Sequence, residues 1–177
     1  MFRPAFAILI ALGISPNACG QDARVYRVAI PNGLTLNALS STQTSTHPLT
    51  ATNLNFFNSN WFVNANNGAG ANATFTAGPF VNLSDSSFRR DVHLRLRALD
   101  NNSIISQIFG IQWPWQYETR NDRTRYASGD NTARVSLNST FAGSAQVSIR
   151  VRFITGDVDS LAAGTYQTTV VGTITAN

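Results

Sequence analysis

The chain has 177 residues, 43% of them hydrophobic and 12% charged, with a net charge of +4. Its single cysteine, Cys19, lies near the start, so thiol nucleophiles, thiolate metal sites and disulfides are excluded from everything after it. The 13 basic residues are all arginine; the positive excess is small, spread out and due mainly to a shortage of acids, so nucleic acid is not expected as a partner.

Residues 1–20 read as a signal peptide. Arg3 supplies the positive start, residues 5–14 an apolar stretch, and Ala18 and Gly20 the small residues before a cleavage that leaves Gln21 first. The apolar stretch is short of the roughly 20 residues that a membrane-spanning helix needs. Residues 21–177 then form one exported domain with no membrane span, large enough to hold a core without covalent staples.

Along that domain no helical period is sustained, whereas period-two alternation recurs. Tyr26, Val28 and Ile30 alternate with polar or small neighbours, then Pro31-Asn32-Gly33 reverses the chain, with Gly33 expected at positive φ, and Leu34, Leu36 and Ala38 follow. Residues 42–52 read as a long polar connection. Phe56, Trp61 and Val63 are expected in the core, and residues 66–73 as a hairpin loop. Ala71, Ala73, Phe75 and Ala77 line one face of the next strand, as do Val92, Leu94, Leu96 and Ala98 of another. Val147, Ile149, Val151 and Phe153 repeat the pattern with Ser148, Arg150 and Arg152 outward. A single helical turn is expected at residues 157–162, before a terminal strand with Tyr166, Thr168, Val170, Gly172 and Ile174 on one face. Strands at this spacing, separated by Gly, Asn and Asp turns, predict an all-β, immunoglobulin-like antiparallel β-sandwich of about seven to nine strands.

The residues offer no catalytic constellation. His47 and His93 have no metal-ligand spacing, and each reads as a solvated residue. Glu118 is the single glutamate, and nothing resembles a nucleophile elbow. Asp157 and Asp159 start like a calcium loop but lack its glycine and distant glutamate, and read as turn chemistry. No enzyme activity, metal or cofactor is expected. The most distinctive segment, residues 113–126, interleaves Trp113, Trp115, Tyr117 and Tyr126 with Arg120, Arg123 and Arg125. Such a mixture stacks on sugars, or else packs into the core with arginines on the ring faces. A carbohydrate-binding module is the functional reading attached to these residues.

The run from Leu161 through Ala163, Gly164, Thr165 and Tyr166 into a Thr- and Val-rich terminal strand resembles the C-terminal part of bacterial chaperone–usher pilins, spore coat protein U domains and cysteine-free enteric fimbrial subunits. The leading β-segment directly after the cleavage point is similar as well. The resemblance implies an incomplete sandwich whose groove accepts the N-terminal extension of the next subunit by β-strand addition. The donor is then residues 21–31, with Tyr26, Val28 and Ile30 as the inserted face. The implied function is a non-catalytic structural subunit of a secreted fibre or coat on the cell surface. Its partners are other copies or related subunits, a periplasmic chaperone and an usher.

Overall fold

In this computed structural model the structure describes residues 27, 33–39, 42–66, 68–99 and 115–177. The elements are β1 (Leu34–Ala38), β2 (Leu54–Asn55), β3 (Ser59–Ala65), β4 (Ala71–Ala77), β5 (Phe80–Asn82), β6 (Arg89–Arg90), β7 (Val92–Ala98), β8 (Trp115–Thr119), β9 (Asn121–Arg123), a 3-10 turn (Tyr126–Ser128), β10 (Ala133–Ser139), β11 (Gly143–Phe153), β12 (Tyr166–Gln167) and β13 (Val170–Ala176). Eight of these strands have five residues or more, within the seven to nine that the alternation predicts. All of them lie within one compact unit, Pro31–Asn177.

The strands form an all-β antiparallel sandwich. One sheet runs β1-β3-β11-β7-β9, with β2 added to β11, and the opposing sheet runs β13-β4-β10-β8. A small third sheet, β12-β5-β6, lies apart from these two paths. The alternation sets which side chains turn inward, since successive residues of a strand point to opposite faces. Phe75 on β4 is 0% exposed, and Val63, Leu94, Val135, Val147 and Ile149 join it in a continuous core. Of the three residues expected there from the 53–64 segment, Val63 is fully buried, while Phe56 and Trp61 are partly covered and pack against the core. An aromatic cluster continues the core: Phe80 and Phe153 have ring centroids 5.1 Å apart, and Phe153 and Tyr166 5.6 Å.

Two local expectations change. Residues 66–73 are not a hairpin loop, because β3 pairs with β1 and β11 while β4 pairs with β13 and β10. The connection instead crosses from one sheet to the other. It passes so close to the β10–β11 connection that a Cβ on Gly70 (φ +80) lies 2.0 Å from the Ser139 carbonyl oxygen. Gly33 is not among the positive-φ glycines, which are Gly70, Gly129, Gly156 and Gly164. It already runs in line with β1: Asn66 donates to its carbonyl at 3.0 Å, one step beyond the Leu34–Ala65 pair.

The connection into the terminal strands is held by polar groups. The Tyr166 hydroxyl donates to the Ala162 carbonyl at 3.2 Å, and Leu161 packs on the core. Gly164 sits over the buried Asn82, whose amide donates to the Ala163 carbonyl at 3.1 Å. Residues 157–161 form a tight turn, with Asp157 Oδ1 accepting from the Asp159 N–H at 3.1 Å and Val158 O from the Leu161 N–H at 2.9 Å. Buried Arg90 reaches across to this turn and donates to the Ser160 carbonyl at 2.6 Å.

Candidate functional site

The two long edges of the sandwich differ. At one edge the chain passes from β8 in one sheet to β9 in the other, and hydrogen bonds lace the two sheets together. The Ala98 N–H at the end of β7 donates to the Tyr117 hydroxyl on β8. The Leu96 N–H donates to the Arg120 carbonyl at 2.8 Å, and Asp122 on β9 accepts from the Arg134 N–H of β10 at 2.7 Å. Asp91 and buried Thr124 extend the lacing: Val92 N–H donates to Thr124 Oγ1 at 3.0 Å, and that hydroxyl donates to Asp91 at 2.9 Å.

Among the described residues the opposite edge has no such lacing. β1 pairs with β3 on one side and β13 pairs with β4 on one side; among the described residues neither has a strand on its other side. The inward residues of these strands are half-buried where those of the central strands are fully buried. Leu34 and Leu36 on β1, Val170 and Ile174 on β13, and Trp61 on β3 pack against the core with part of each side chain uncovered. Gly172 lets the two edges come together, since a Cβ there would lie 2.6 Å from Leu36 Cδ2 and 3.0 Å from the Trp61 ring. The result is a strip of partly covered apolar groups between two lines of free strand edge.

The proposed donor residues Tyr26, Val28 and Ile30 lie outside the described residues, as do Trp113 and the 1–20 segment. The described aromatic rings of residues 113–126 do not converge on one surface. Trp115 is 2% exposed and belongs to the core. Tyr117 is 39% exposed, bridges to β7 through its hydroxyl, and carries the Arg120 guanidinium 5.2 Å from its ring centroid. Arg123 projects from β9 beside His93, Arg125 pairs with Asp130 at 3.5 Å, and the Tyr126 N–H donates to Asp91 at 2.9 Å. A platform of adjacent rings for a sugar is therefore not formed by Trp115, Tyr117 and Tyr126. The sequence lacked a signal for this because the run around Trp115 has no clean alternation to mark which ring turns inward.

Both histidines have structural surroundings rather than open solvent. His47 accepts from the Leu49 N–H on Nδ1 at 3.0 Å, which leaves the hydrogen on Nε2 to donate to Thr155 Oγ1 at 2.8 Å. Thr155 in turn donates to the Thr52 carbonyl at 2.9 Å, so this chain of bonds ties down the 42–52 connection. His93 stands opposite Arg152 on one side and Arg123 on the other. Its imidazole pKa is pushed down by burial and by the neighbouring Arg152, Arg123 and Arg95 charges, against a smaller opposing pull from Asp122. Glu118, at the irregular step between β8 and β10, accepts from Asn72, Ser136 and Asn138, and these bonds hold its carboxyl below the usual range. No group of three or more His, Cys, Asp or Glu able to hold a metal occurs among the described residues. No helix among them is long and apolar enough to cross a membrane.

Comparison with protein-family models, with curated proteins and with solved structures finds no match to the chain.

Proposed function

We propose that the protein is a non-catalytic structural subunit of a secreted surface fibre or coat, joined copy to copy by β-strand addition. The observation that carries this reading is the open edge between β1 and β13, where free strand edges flank half-covered Leu34, Leu36, Trp61, Val170 and Ile174. An extended segment laid there gains ladder hydrogen bonds and covers the apolar strip with alternate side chains. Residues 21–31 of the next copy have the required pattern, with Tyr26, Val28 and Ile30 two residues apart. Each of these side chains, fully buried, contributes about 1.5–3 kcal/mol. The contact is head-to-tail and heterologous, so it need not close into a ring. A long apolar edge left bare during export invites indiscriminate pairing, which gives a periplasmic chaperone and an usher their place as partners.

The test is deletion of residues 21–30. The shortened protein is expected to be monomeric and less stable than the full protein. A synthetic peptide of residues 21–31 is expected to restore its stability saturably, and the same peptide with V28D is not. If the shortened and full proteins are equally stable and both monomeric, strand addition is wrong.

A further inference from the structure

The outward face of the β3-β11-β7-β9 region carries a concentration of arginine. Arg95 and Arg97 rise from β7, Arg150 and Arg152 from β11 and Arg123 from β9, while Arg120 stands at the crossing between β8 and β9. Arg95 lies directly opposite Arg150 in the β7–β11 ladder, a like-charge pair that weakens a sheet. Folding alone gives no reason for that placement, and the usual remedy, an interleaved carboxylate, is missing. Among the described residues the one ion pair is Arg125–Asp130, which involves none of these six arginines. Arg150 and Arg152 are steadied by neutral side chains, through Nε donating to Asn58 at 3.2 Å and Asn55 at 2.8 Å. Asp122, the carboxylate beside the group, accepts from the backbone N–H groups of Arg123 and Arg134. The guanidiniums of Arg95 and Arg97 make no hydrogen bond among the described residues, while their backbones pair in the β7–β11 ladder. Four of these arginines, Arg95, Arg97, Arg120 and Arg150, line a cleft of about 330 Å³ together with Asn58 and Ser148, and Ser148 is only 2% exposed.

The geometry points to this cleft as a binding site for the sulfate or phosphate groups of an acidic polysaccharide, with Arg95 and Arg150 closing on one oxyanion from adjacent strands. Guanidinium forks match tetrahedral oxyanions through paired N–H donors, and they stay charged at every working pH. Arginines on neighbouring strands stand about 5 Å apart at their bases, and those two residues apart on one strand about 7 Å. The site is thus an open comb suited to successive charged groups on a linear chain. Among the described residues no aromatic ring lines the cleft, and none of them offers a platform there on which a nucleic-acid base stacks. His93 stands on the same face, and its proton affinity is lowered first by burial and then by the Arg152, Arg123 and Arg95 charges.

The experiment measures binding of the purified protein at physiological ionic strength to a sulfated dextran, a phosphorylated mannan, a neutral dextran of matched length and a single-stranded oligonucleotide. Binding to one or both charged glycans is expected, weakening as salt rises; comparing the two tells sulfate from phosphate. Neutral dextran is expected not to bind. The double variant R95Q/R150Q is expected to weaken glycan binding about tenfold or more, since each lost charge-assisted contact is worth about a factor of ten. R89Q/R134Q removes the same charge from exposed residues outside the cleft, and is expected to change binding by less than about threefold, the scale of a long-range screened effect. In the bound state the His93 titration is expected to move upward. The proposal is overturned if neither charged glycan binds, if the control variant loses as much binding as the site variant, or if the oligonucleotide binds more tightly than both glycans.

Discussion

Replacing Gly70 by alanine tests how tightly the two sheets are joined at the β3–β4 crossing. Two costs act there, and the structure separates them. Gly70 has φ +80, a conformation that costs an L-residue about 1–2 kcal/mol. Its new Cβ would also stand 2.0 Å from Ser139 O, 2.5 Å from Ser139 C and 2.8 Å from Phe141 N, all of them backbone. Backbone cannot swing away as a side-chain tip can, so the β10–β11 connection must shift, at a cost like that of overpacking, about 1–3 kcal/mol. The sum is about 2–5 kcal/mol, a large part of the 5–15 kcal/mol that holds a domain together. Gly129 supplies the control: φ is +89, but nothing lies within 4 Å of its Cβ position, so G129A loses the conformational part alone. Urea unfolding followed by circular dichroism measures both variants, with m expected to stay constant. In thermal melts each kcal/mol corresponds to about 2–4 °C at this chain length. If G70A loses no more stability than G129A, the connection yields without cost and the close-approach reasoning fails.

Other expectations follow from single residues. L94A empties a fully buried position and is expected to cost about 2–5 kcal/mol by urea unfolding. Y117F removes the acceptor of the Ala98 N–H at the laced edge; a loss of about 1–3 kcal/mol and faster amide exchange at Ala98 are expected. Because burial and the flanking arginines lower the His93 pKa below 6.5, the unfolded chain takes up the proton first as pH falls. The associated stability is therefore complete above pH 6.5 and is lost as pH drops towards the folded value, and H93Q is expected to flatten the profile there. Glu118, held below 4.5 by its amide and hydroxyl donors, gives a stability term that is lost as pH falls below 4.5; E118Q is expected to remove that acid-side slope.

The strands that read clearly in the sequence are those with one wholly buried face. Ala71 to Ala77, Val92 to Ala98 and Val147 to Phe153 alternate in sequence, and their inward residues are buried, joined on the last by outward Ser148. Alternation assigns a face but not a partner, which is why β3 and β4 read as a hairpin and are instead in different sheets. It also fails where a strand is short or irregular. Trp115 lies on a five-residue strand whose register to β10 shifts between Ser136 and Leu137, so its inward turn has no periodic trace. The open edge was legible in part: Leu34, Leu36, Val170 and Ile174 mark inward faces, while their incomplete cover depends on which strands end each sheet. The arginine cluster was legible strand by strand, since Arg95, Arg97, Arg150 and Arg152 occupy outward positions. Their convergence on one cleft required knowing that β7 and β11 are neighbours.

The lopsided lacing of the sandwich has a kinetic consequence. Bonds from Tyr117, Arg120 and Asp122 act as a hinge along one margin, whereas among the described residues β1 and β13 are each held by one neighbouring strand. Opening fluctuations therefore start at the β1–β13 margin and die out towards the hinge, like a book whose spine stays bound. Amides of β1 and β13 exchange with solvent through small local excursions, while those of β7, β10 and β11 wait for global unfolding. The margin that parts most readily is the same one that displays the apolar strip.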